Sequence, residues 1–360
     1  MWYSQLPAGK YRIKGRGQVI YTVILAGGIG ERFWPLSKKD NPKQFLSITG
    51  NKPLLLQTKE RILRLTPTEN IKIVTTATLA RKIIALGFGK NNLIIEPRGM
   101  NTLYAIGLAA SKLMASDKDA LMLILPSDHW IADDKQFISV IKRGIEWAEK
   151  GYLVTYGIIP TRVETGYGYI EKGAELALGI LKVKRFTEKP NIKKATSYIK
   201  SEKYLWNSGI FLWKTYTILE EIKRHQVHLK EAINALKMNP SKKNIELLYS
   251  SGTPISIDYG VLERSKNVLV VASEFTWDDI GTWNSLERIF KSRESGNIER
   301  GDIHQINSHN NIFYAEDGII VAKGLENMIV VHTKNATLII PKSGAQQVKE
   351  IVRHLPVKYQ

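Results

Sequence analysis

The 360-residue chain contains no cysteine. Disulfides, a catalytic thiol and a cysteine-ligated metal are therefore excluded, and any bound metal is expected to be a hard ion such as Mg²⁺, held by oxygen ligands. No apolar run approaches the ~20 residues that span a bilayer. The first 18 residues are basic but lack the apolar stretch of a secretory signal. These absences predict a cytoplasmic protein without a membrane segment.

Acidic residues are the minority, with 34 Asp and Glu against 52 Lys and Arg, which gives a formal net charge of +18. Such a charge is typical of proteins that bind nucleic acid or an anionic substrate. The lysines are scattered rather than banded, and no RNA- or DNA-binding motif is present. A solvated basic surface that steers phosphates is the favoured interpretation, and no nucleic-acid partner is expected.

A glycine-rich stretch follows the first apolar run of the chain. Residues 19–25 have the composition of a buried strand. The strand pattern then breaks into three glycines, Gly27, Gly28 and Gly30. Glycines let backbone N–H groups approach an anion closely, and Arg32 and Lys43 add positive charge nearby. The pattern predicts a site for a triphosphate.

Two common glycine-rich motifs do not fit this stretch. A dinucleotide fingerprint requires a third glycine where this chain has Phe33. A P-loop requires Gly-Lys-Ser/Thr, whereas Gly30 is followed by Glu31. On the glycines alone, a tight strand-to-loop turn with an ordinary surface arginine stands as an equal alternative.

The longer string is more specific. It contains Arg32, then Trp34-Pro35-Leu36-Ser37, then Pro42-Lys43-Gln44-Phe45. In this order the pieces resemble the signature of the sugar-1-phosphate nucleotidylyltransferases, and most closely their mannose-1-phosphate guanylyltransferase branch. The resemblance implies an α/β fold with a Rossmann-like, mixed and mostly parallel sheet and a small C-terminal left-handed β-helix-like domain. It also implies GTP and mannose 1-phosphate as substrates and Mg²⁺ as cofactor.

Alternating strand and helix patterns agree with such a sheet. Apolar residues at helical spacing occupy Leu54–Leu65 and Asn101–Met114, and strand patterns occupy Ile71–Thr76, Leu93–Glu96 and Asp119–Leu125. In open sheets of this kind, ligands bind beyond the carboxyl ends of the strands. Further along, Leu219–Leu236 and Ile245–Leu248 are amphipathic and predict covering helices.

Two aspartates are the candidate metal ligands. Asp128 directly follows a buried strand, where it could equally cap the next helix. The resemblance places a Mg²⁺-binding aspartate at Asp128 and a second one at Asp279. Asp278 precedes the latter, and consecutive strand residues face opposite ways, so only one of this pair should point into the site. His129 is expected to have a structural or hydrogen-bonding part.

The resemblance implies three further sets of site residues. The catalytic set is Arg32, Lys43, Asp128 and Asp279. The nucleotide-binding set is Ala26, Gly27, Gly28, Gly30, Arg32, Lys43, Glu96, Asn101 and Thr102. The substrate-binding set is Gly168, Glu188, Lys189 and Asn207. Without the resemblance, the residues of this last set could simply form β-turns or exposed polar turns.

Two positions are left open by the sequence. Asp258 could be a helix N-cap or a contact residue. Met100 stands where the resembled family has an arginine, which leaves Arg98, two residues earlier, as the candidate to replace it.

The sequence pattern changes from Gly301 onwards. Short β-rich runs recur about every eight to ten residues, at Ile312–Tyr314, Gly318–Ala322, Met328–His332 and Ala336–Pro341. Their spacing predicts a sandwich or solenoid coils, and the resemblance favours a β-helix that forms a homodimer contact. The expected organisation is an N-terminal extension at residues 1–18, a catalytic domain at 19–295 and a C-terminal domain at 296–360.

The expected reaction is the transfer of GMP from GTP to α-D-mannose 1-phosphate, with pyrophosphate as the second product. Arg32 and Lys43 would hold the β- and γ-phosphates, and Lys189 the sugar phosphate. The alternatives are the same chemistry with another base or sugar, and a non-catalytic homologue that binds nucleic acid or regulates another protein.

Overall fold

The computed structural model describes residues 19–28 and 30–359. The expected N-terminal extension, residues 1–18, lies outside them. The described chain forms two compact units. Of the described residues, the first unit contains those up to Gly27, 59–126 and 132–276, and the second contains those of 28–58, of 127–131 and from 277 onwards. Within the described part, no helix has the length and apolar character needed to cross a bilayer.

The first unit is built on a nine-stranded sheet. Its strands are β1 (Ile20–Leu25), β2 (Ile71–Thr76), β3 (Leu93–Glu96), β4 (Leu121–Pro126), β6 (Leu153–Ile158), β7 (Tyr169–Ala177), β8 (Ile180–Thr187), β9 (Tyr204–Lys214) and β10 (Val268–Ser273), while β5 (Trp130–Ile131) belongs to the second unit. The strand order is β3-β2-β1-β4-β9-β6-β10-β8-β7. The run from β3 to β4 is parallel, and β9 reverses direction between β4 and β6. The predicted α/β fold with a Rossmann-like sheet is confirmed.

The helices are α1 (Leu54–Ile62), α2 (Ala77–Ala85), α3 (Asn101–Ser116), α4 (Asp134–Arg143), α5 (Ile145–Glu149), α6 (Ile192–Ser201), α7 (Thr215–His225), α8 (Lys230–Met238), α9 (Lys242–Ser250), α10 (Leu286–Ile289) and α11 (Val348–Arg353). Within the first unit, α3 is apolar on most of its surface and is buried along its central residues, 103–111. Strand β4 is likewise buried along its apolar length. These two elements form the centre of the core because neither has a polar face to present to water.

The amphipathic stretch Leu219–Leu236 forms two helices, α7 and α8, instead of the single helix that its spacing predicts. The break is at Gln226, whose backbone leaves the helical region at φ −127°. Its buried side chain donates a hydrogen bond to the carbonyl of Gly260 at 2.7 Å. A buried amide requires such a partner, and the break in the helix allows this one.

The second unit contains a four-stranded sheet of β12 (Ile298–Ile306), β13 (Ile312–Lys323), β14 (Met328–Thr333) and β15 (Ala336–Pro341). The first three strands pair in parallel, and β15 pairs with β14 antiparallel. The runs 312–314 and 318–322 belong to one long strand, β13, rather than to two. The predicted C-terminal β-helix-like domain is confirmed.

One hydrophobic core joins the glycine-rich segment to this C-terminal sheet. It contains Phe33 and Trp34 from the segment, Trp283 from the chain before β12, and aliphatic residues of β12–β15 and α11. The rings of Phe33 and Trp283 lie 5.0 Å apart, and the Trp283 indole N–H donates to the Trp34 carbonyl at 3.2 Å. The segment that precedes Lys43 is therefore supported by the C-terminal part of the chain.

Trp283→Ala should lower the free energy of unfolding by about 3–5 kcal/mol, because it removes a fully buried ring and leaves a cavity. Leu178→Ala is the control, since Leu178 is 91% exposed and its loss should change stability by less than about 0.5 kcal/mol. Urea unfolding of both variants measures the difference. A loss of less than about 1 kcal/mol in Trp283→Ala would contradict this description of the core.

Candidate active site

A cavity of about 410 Å³ lies within the second unit. Five of the residues predicted for phosphate or metal binding line it, namely Gly30, Arg32, Lys43, Asp128 and Asp279. The other lining residues are Glu31, Phe33, His129, Ile280, Gly281 and Lys349. Carboxylates and cationic side chains therefore meet in one space of the size of a small-ligand site.

A short antiparallel strand pair brings the two aspartates to this cavity. Strand β5 pairs with β11 (Trp277–Asp278), with Asp278 opposite Trp130. Asp128 precedes β5 and Asp279 follows β11. Because the strands run in opposite directions, the start of one lies beside the end of the other. Residues about 150 positions apart in sequence thus line the same cavity.

Asp278 and Asp279 have different surroundings. Asp278 is buried, pairs with Arg288 and accepts the backbone N–H of Ile280 at 2.8 Å. Asp279 lines the cavity instead. The difference agrees with the alternation of side chains along extended chain.

Lys43 is the most constrained cation of the cavity. Its side chain is only 7% exposed, and Nζ lies 2.7 Å from Oδ2 of Asp128. The same ammonium donates to the carbonyls of Asp279 and Ile280 at 2.7 and 2.8 Å. An ammonium has three N–H donors, so these three acceptors satisfy all of them. Lys43 therefore ties Asp128 to the turn that carries Asp279.

The turn at Ile280 has an unusual backbone conformation. Its φ is 49°, a value that β-branched residues rarely adopt. The Ile280 N–H is held by Asp278 and its carbonyl by Lys43, and the side chain is fully buried. Backbone strain of this kind persists only where the surroundings enforce it, and it is often found at functional sites.

Gly30 is required by its own conformation and by its neighbour. Its φ of 71° is in the left-handed region, and a Cβ there would lie 2.3 Å from Cβ of Lys43. Only glycine allows this approach. Gly28 is exposed, and a Cβ there would meet nothing within 4 Å of the described chain. The two glycines therefore differ: Gly30 permits packing on Lys43, whereas Gly28 leaves its backbone open.

Burial alone would raise the pKa of the Asp128 carboxyl, but the charges of Lys43 and His129 and the hydrogen bond from Lys43 hold that pKa below its usual value. Asp128 is therefore ionised at neutral pH. His129 is oriented by Trp277, whose indole N–H donates to Nδ1 at 3.1 Å. This contact gives His129 the hydrogen-bonding part expected of it.

The donor set of the cavity fits a hard divalent cation. Among the described residues, no three His, Cys, Asp or Glu side chains cluster in a way that could hold a metal on their own. Ions such as Mg²⁺ commonly need only one or two carboxylates, and water or substrate phosphates complete their coordination. Asp128 and Asp279 supply that number of carboxylates.

A second polar cluster lies in the first unit. It contains the predicted Gly168, Glu188, Lys189 and Asn207, together with Asp258. A Cβ at Gly168 would lie 2.3 Å from Oε2 of Glu188, so a larger residue there would displace this carboxylate. Lys189 Nζ lies 3.1 Å from Oε1 of Glu188, and Asn207 donates to Oδ1 of Asp258 at 2.8 Å. Oε2 of Glu188 is buried and accepts no hydrogen bond from the described chain.

Asp258 is the site residue that sequence reasoning left undecided. It begins a short π-helical turn, Asp258–Leu262, but the residue at the N-cap position is Ile257. Burial first, and then the negative charge of Glu188, raise the pKa of Asp258 to about 6. Two carboxyl groups that influence each other beside an amide form an arrangement suited to sugar hydroxyls.

Asp258→Asn should remove a pH-dependent loss of stability. The folded protein holds the Asp258 proton more tightly than the unfolded chain, because the pKa rises from 3.8 to about 6. This stabilisation is complete below about pH 4 and is lost as the pH rises through about 6, by up to about 3 kcal/mol before solvent screening.

Urea unfolding of wild type and Asp258→Asn at about pH 4 and about pH 8 measures this effect. The variant should gain stability relative to wild type at the higher pH. Asp302→Asn, a substitution of an exposed aspartate, should show no such change. A stability difference that is the same at both pH values would contradict the assignment.

The predicted nucleotide contacts of the first unit surround the end of β3. Glu96 is buried, and its Oε2 accepts the hydroxyl of Tyr249 at 2.7 Å. Its Oε1 lies 3.4 Å from where a Cβ of Gly27 would be. Burial raises the pKa of Glu96, and the Tyr249 hydrogen bond offsets part of the rise. Ala26 is fully buried, and its carbonyl accepts the Thr75 hydroxyl at 3.0 Å.

The start of α3 and the loop before it are tied to other elements. Asn101 has a φ of 66°, and its Oδ1 accepts the N–H of Thr102 at 2.8 Å. Thr102 accepts the N–H of Ile257 at 2.9 Å. Arg98 donates to the carbonyl of Tyr249 at 2.6 Å and forms an ion pair with Glu246. Both contacts of its guanidinium are therefore to α9. Met100 is buried.

Tyr249→Phe should lower the free energy of unfolding by about 2 kcal/mol, because it leaves a buried carboxylate without its donor. Tyr104 provides a matched control. Its ring lies 5.6 Å from that of Tyr249, and its buried hydroxyl has no partner within the described residues. Tyr104→Phe should therefore be neutral or slightly stabilising. Equal losses in the two variants, measured by urea unfolding, would contradict a specific role for the Tyr249 hydroxyl.

Comparisons with known proteins cover most of the chain. The family described as Nucleotidyl transferase matches residues 21–296, and the MannoseP isomerase/GMP-like beta-helix domain matches residues 301–355. A mannose-1-phosphate guanylyltransferase of Salmonella muenchen is 39% identical over 92% of this chain and 72% of its own length. One from Escherichia coli strain K12 is 36% identical over 93% and 73%.

Two further relatives extend the comparison. The alginate biosynthesis protein AlgA of Pseudomonas aeruginosa is 36% identical over 92% of this chain and 71% of its own length. A crystal structure from Thermus thermophilus, described as a mannose-1-phosphate geranyltransferase, is 34% identical. It covers 93% of this chain and 98% of its own, with a TM-score of 0.86.

Proposed function

This chain belongs to the nucleotidyl transferase family, and we propose that it transfers GMP from GTP to α-D-mannose 1-phosphate, forming GDP-mannose and pyrophosphate. The observation that carries the proposal is the cavity in which Lys43 ties Asp128 to the turn of Asp279, beside Arg32. Arg32 and Lys43 also belong to the sequence string that first indicated the family. The cytoplasmic location and the homodimer stay predictions.

The reaction is a displacement at phosphorus. An oxygen of the sugar phosphate attacks the α-phosphorus of GTP, the bond to the bridging oxygen breaks, and pyrophosphate leaves with that electron pair. No covalent enzyme intermediate is needed. The barrier comes mainly from bringing anions together, so the protein contributes positioning and neutralisation of charge.

Asp128 and Asp279 are the residues that would hold Mg²⁺. When bound, the ion neutralises phosphate oxygens at the reacting centre. Asp128 is suited to hold a cation because its pKa is lowered and its carboxylate is ionised. Lys43 keeps Asp128 in place. Because all three donors of Lys43 are already used, we assign it to positioning Asp128 rather than to the β- and γ-phosphates.

The remaining residues bind the ends of the substrates. Arg32 is exposed at the cavity and can pair with phosphate oxygens through several N–H donors. The exposed backbone at Gly27 and Gly28 adds N–H groups. In the first unit, Oε2 of Glu188 has no hydrogen-bond partner among the described residues and is an acceptor for a sugar hydroxyl. Lys189 next to it is the candidate ligand of the sugar phosphate.

Incubation of the protein with each nucleoside triphosphate and with mannose or glucose 1-phosphate, while pyrophosphate release is followed, tests the proposal. GTP with mannose 1-phosphate should give the highest kcat/KM. Preference for another pair would change the substrates but keep the chemistry. Salt-sensitive oligonucleotide binding without any pyrophosphate release would favour the non-catalytic alternative and overturn the proposal.

Asp279→Asn and Arg32→Ala should each lower kcat at least about a hundredfold, which corresponds to ~3 kcal/mol of barrier. Asp302→Asn, at an exposed aspartate of β12 outside the cavity, is the control for loss of one negative charge. Thermal unfolding should show that all three variants are folded. Activity within about twofold of wild type in either site variant would remove that residue from the mechanism.

A further inference from the structure

Lys349 belongs to the C-terminal helix α11, yet it lines the cavity that holds Asp128 and Asp279. Its Nζ lies 2.9 Å from Oε2 of Glu31, and its side chain is 44% exposed. No motif of the glycine-rich segment or of the metal-binding aspartates includes this residue. A lysine from the β-helix-like domain is therefore part of the wall of the proposed active site.

The position of Lys349 is determined by the packing of α11. Val348 and Val352, one helical turn apart, are buried in the core that also contains Phe33 and Trp34. Lys349 follows Val348 directly and so projects to the side of this buried face. A second contact lies near the chain end, where the Trp34 indole N–H donates to the carbonyl of Tyr359 at 2.8 Å. The helix is thus held against the segment that carries Glu31 and Arg32.

The other charged residues of the cavity indicate which role is left for Lys349. Among the described residues that line the cavity, the cationic side chains other than histidine are Arg32, Lys43 and Lys349. All three N–H donors of Lys43 are already used in contacts to Asp128 and to two backbone carbonyls. A nucleotide triphosphate carries several negative charges beyond those that one divalent ion balances. Arg32 and Lys349 are therefore the cations with donors left for it.

The pairing of Lys349 with Glu31 does not prevent this. Both side chains are partly exposed, and ion pairs of this kind contribute only about 0–1 kcal/mol. A phosphate oxygen of higher charge can replace the carboxylate, although Oε2 of Glu31 is itself buried and then loses this ammonium. Until the nucleotide binds, the pair with Glu31 keeps the ammonium at the wall of the cavity.

We propose that Lys349 binds the β- and γ-phosphates of the nucleotide, and pyrophosphate in the reverse reaction, so that the C-terminal domain supplies a substrate-binding residue. This inference rests on the proposed function of the same cavity. The competing explanation is that the pair of Lys349 and Glu31 only fastens α11 to the glycine-rich segment.

Calorimetric titration of GTP, GMP and pyrophosphate into wild type, Lys349→Gln and Lys349→Arg, without the sugar phosphate, separates the two explanations. A contact to the phosphate tail predicts about tenfold weaker binding of GTP and pyrophosphate to Lys349→Gln. GMP binding should change less than about twofold, and Lys349→Arg should recover most of the loss. Lys342→Gln is the control, since Lys342 pairs with Glu287 and does not line the cavity.

Unchanged GTP and pyrophosphate affinity in Lys349→Gln, or an equal loss for GMP and GTP, would overturn the inference in favour of a structural tether. A lowered melting temperature of Lys349→Gln without a change in ligand affinity would also favour a structural tether. The outcome is independent of turnover. If wild type releases no pyrophosphate with any sugar phosphate, the proposed function fails, and the affinity ratio of GTP to GMP still decides the part of Lys349.

Discussion

The buried ammonium of Lys43 is the interaction on which the candidate active site depends. It joins the Asp128 carboxylate to the carbonyls of Asp279 and Ile280, which come from distant parts of the chain. A buried charge is stable only when it is paired and fully hydrogen-bonded. The close approach of Gly30 to Lys43 and the strained backbone at Ile280 serve this interaction, because each allows the ammonium to reach its acceptors.

The unit that contains this cavity is assembled from three separate stretches, 28–58, 127–131 and the residues from 277 onwards. The glycine-rich segment shares its hydrophobic core with the β-helix-like domain. The C-terminal domain therefore supports the proposed phosphate-binding end of the site. The large sheet of the first unit carries the polar cluster around Glu188 and the buried Glu96.

Local signals in the sequence were sufficient to predict the parallel strands of the large sheet, whereas the β-helix-like form of the C-terminal domain was expected from the family resemblance. Buried apolar runs, their alternation with helical spacing and the abrupt glycines define β1–β4, and the predicted strands Ile71–Thr76 and Leu93–Glu96 coincide with β2 and β3. The same reasoning could not find the acceptors of Lys43 or the place of Lys349. Those depend on the pairing of β5 with β11 and on the packing of α11, which no local pattern encodes.

A double-mutant cycle of Lys43→Met and Asp128→Asn, measured by chemical unfolding, tests this account most directly. Lys43→Met leaves the Asp128 carboxylate without its counter-charge, and Asp128→Asn leaves the buried ammonium of Lys43 with a neutral partner, so each single variant should lose about 3 kcal/mol. The double variant removes both charges, so it should lose clearly less than the sum, with a coupling energy of at least about 2 kcal/mol. Additive losses, with a coupling energy near zero, would show that the pair does not organise the site.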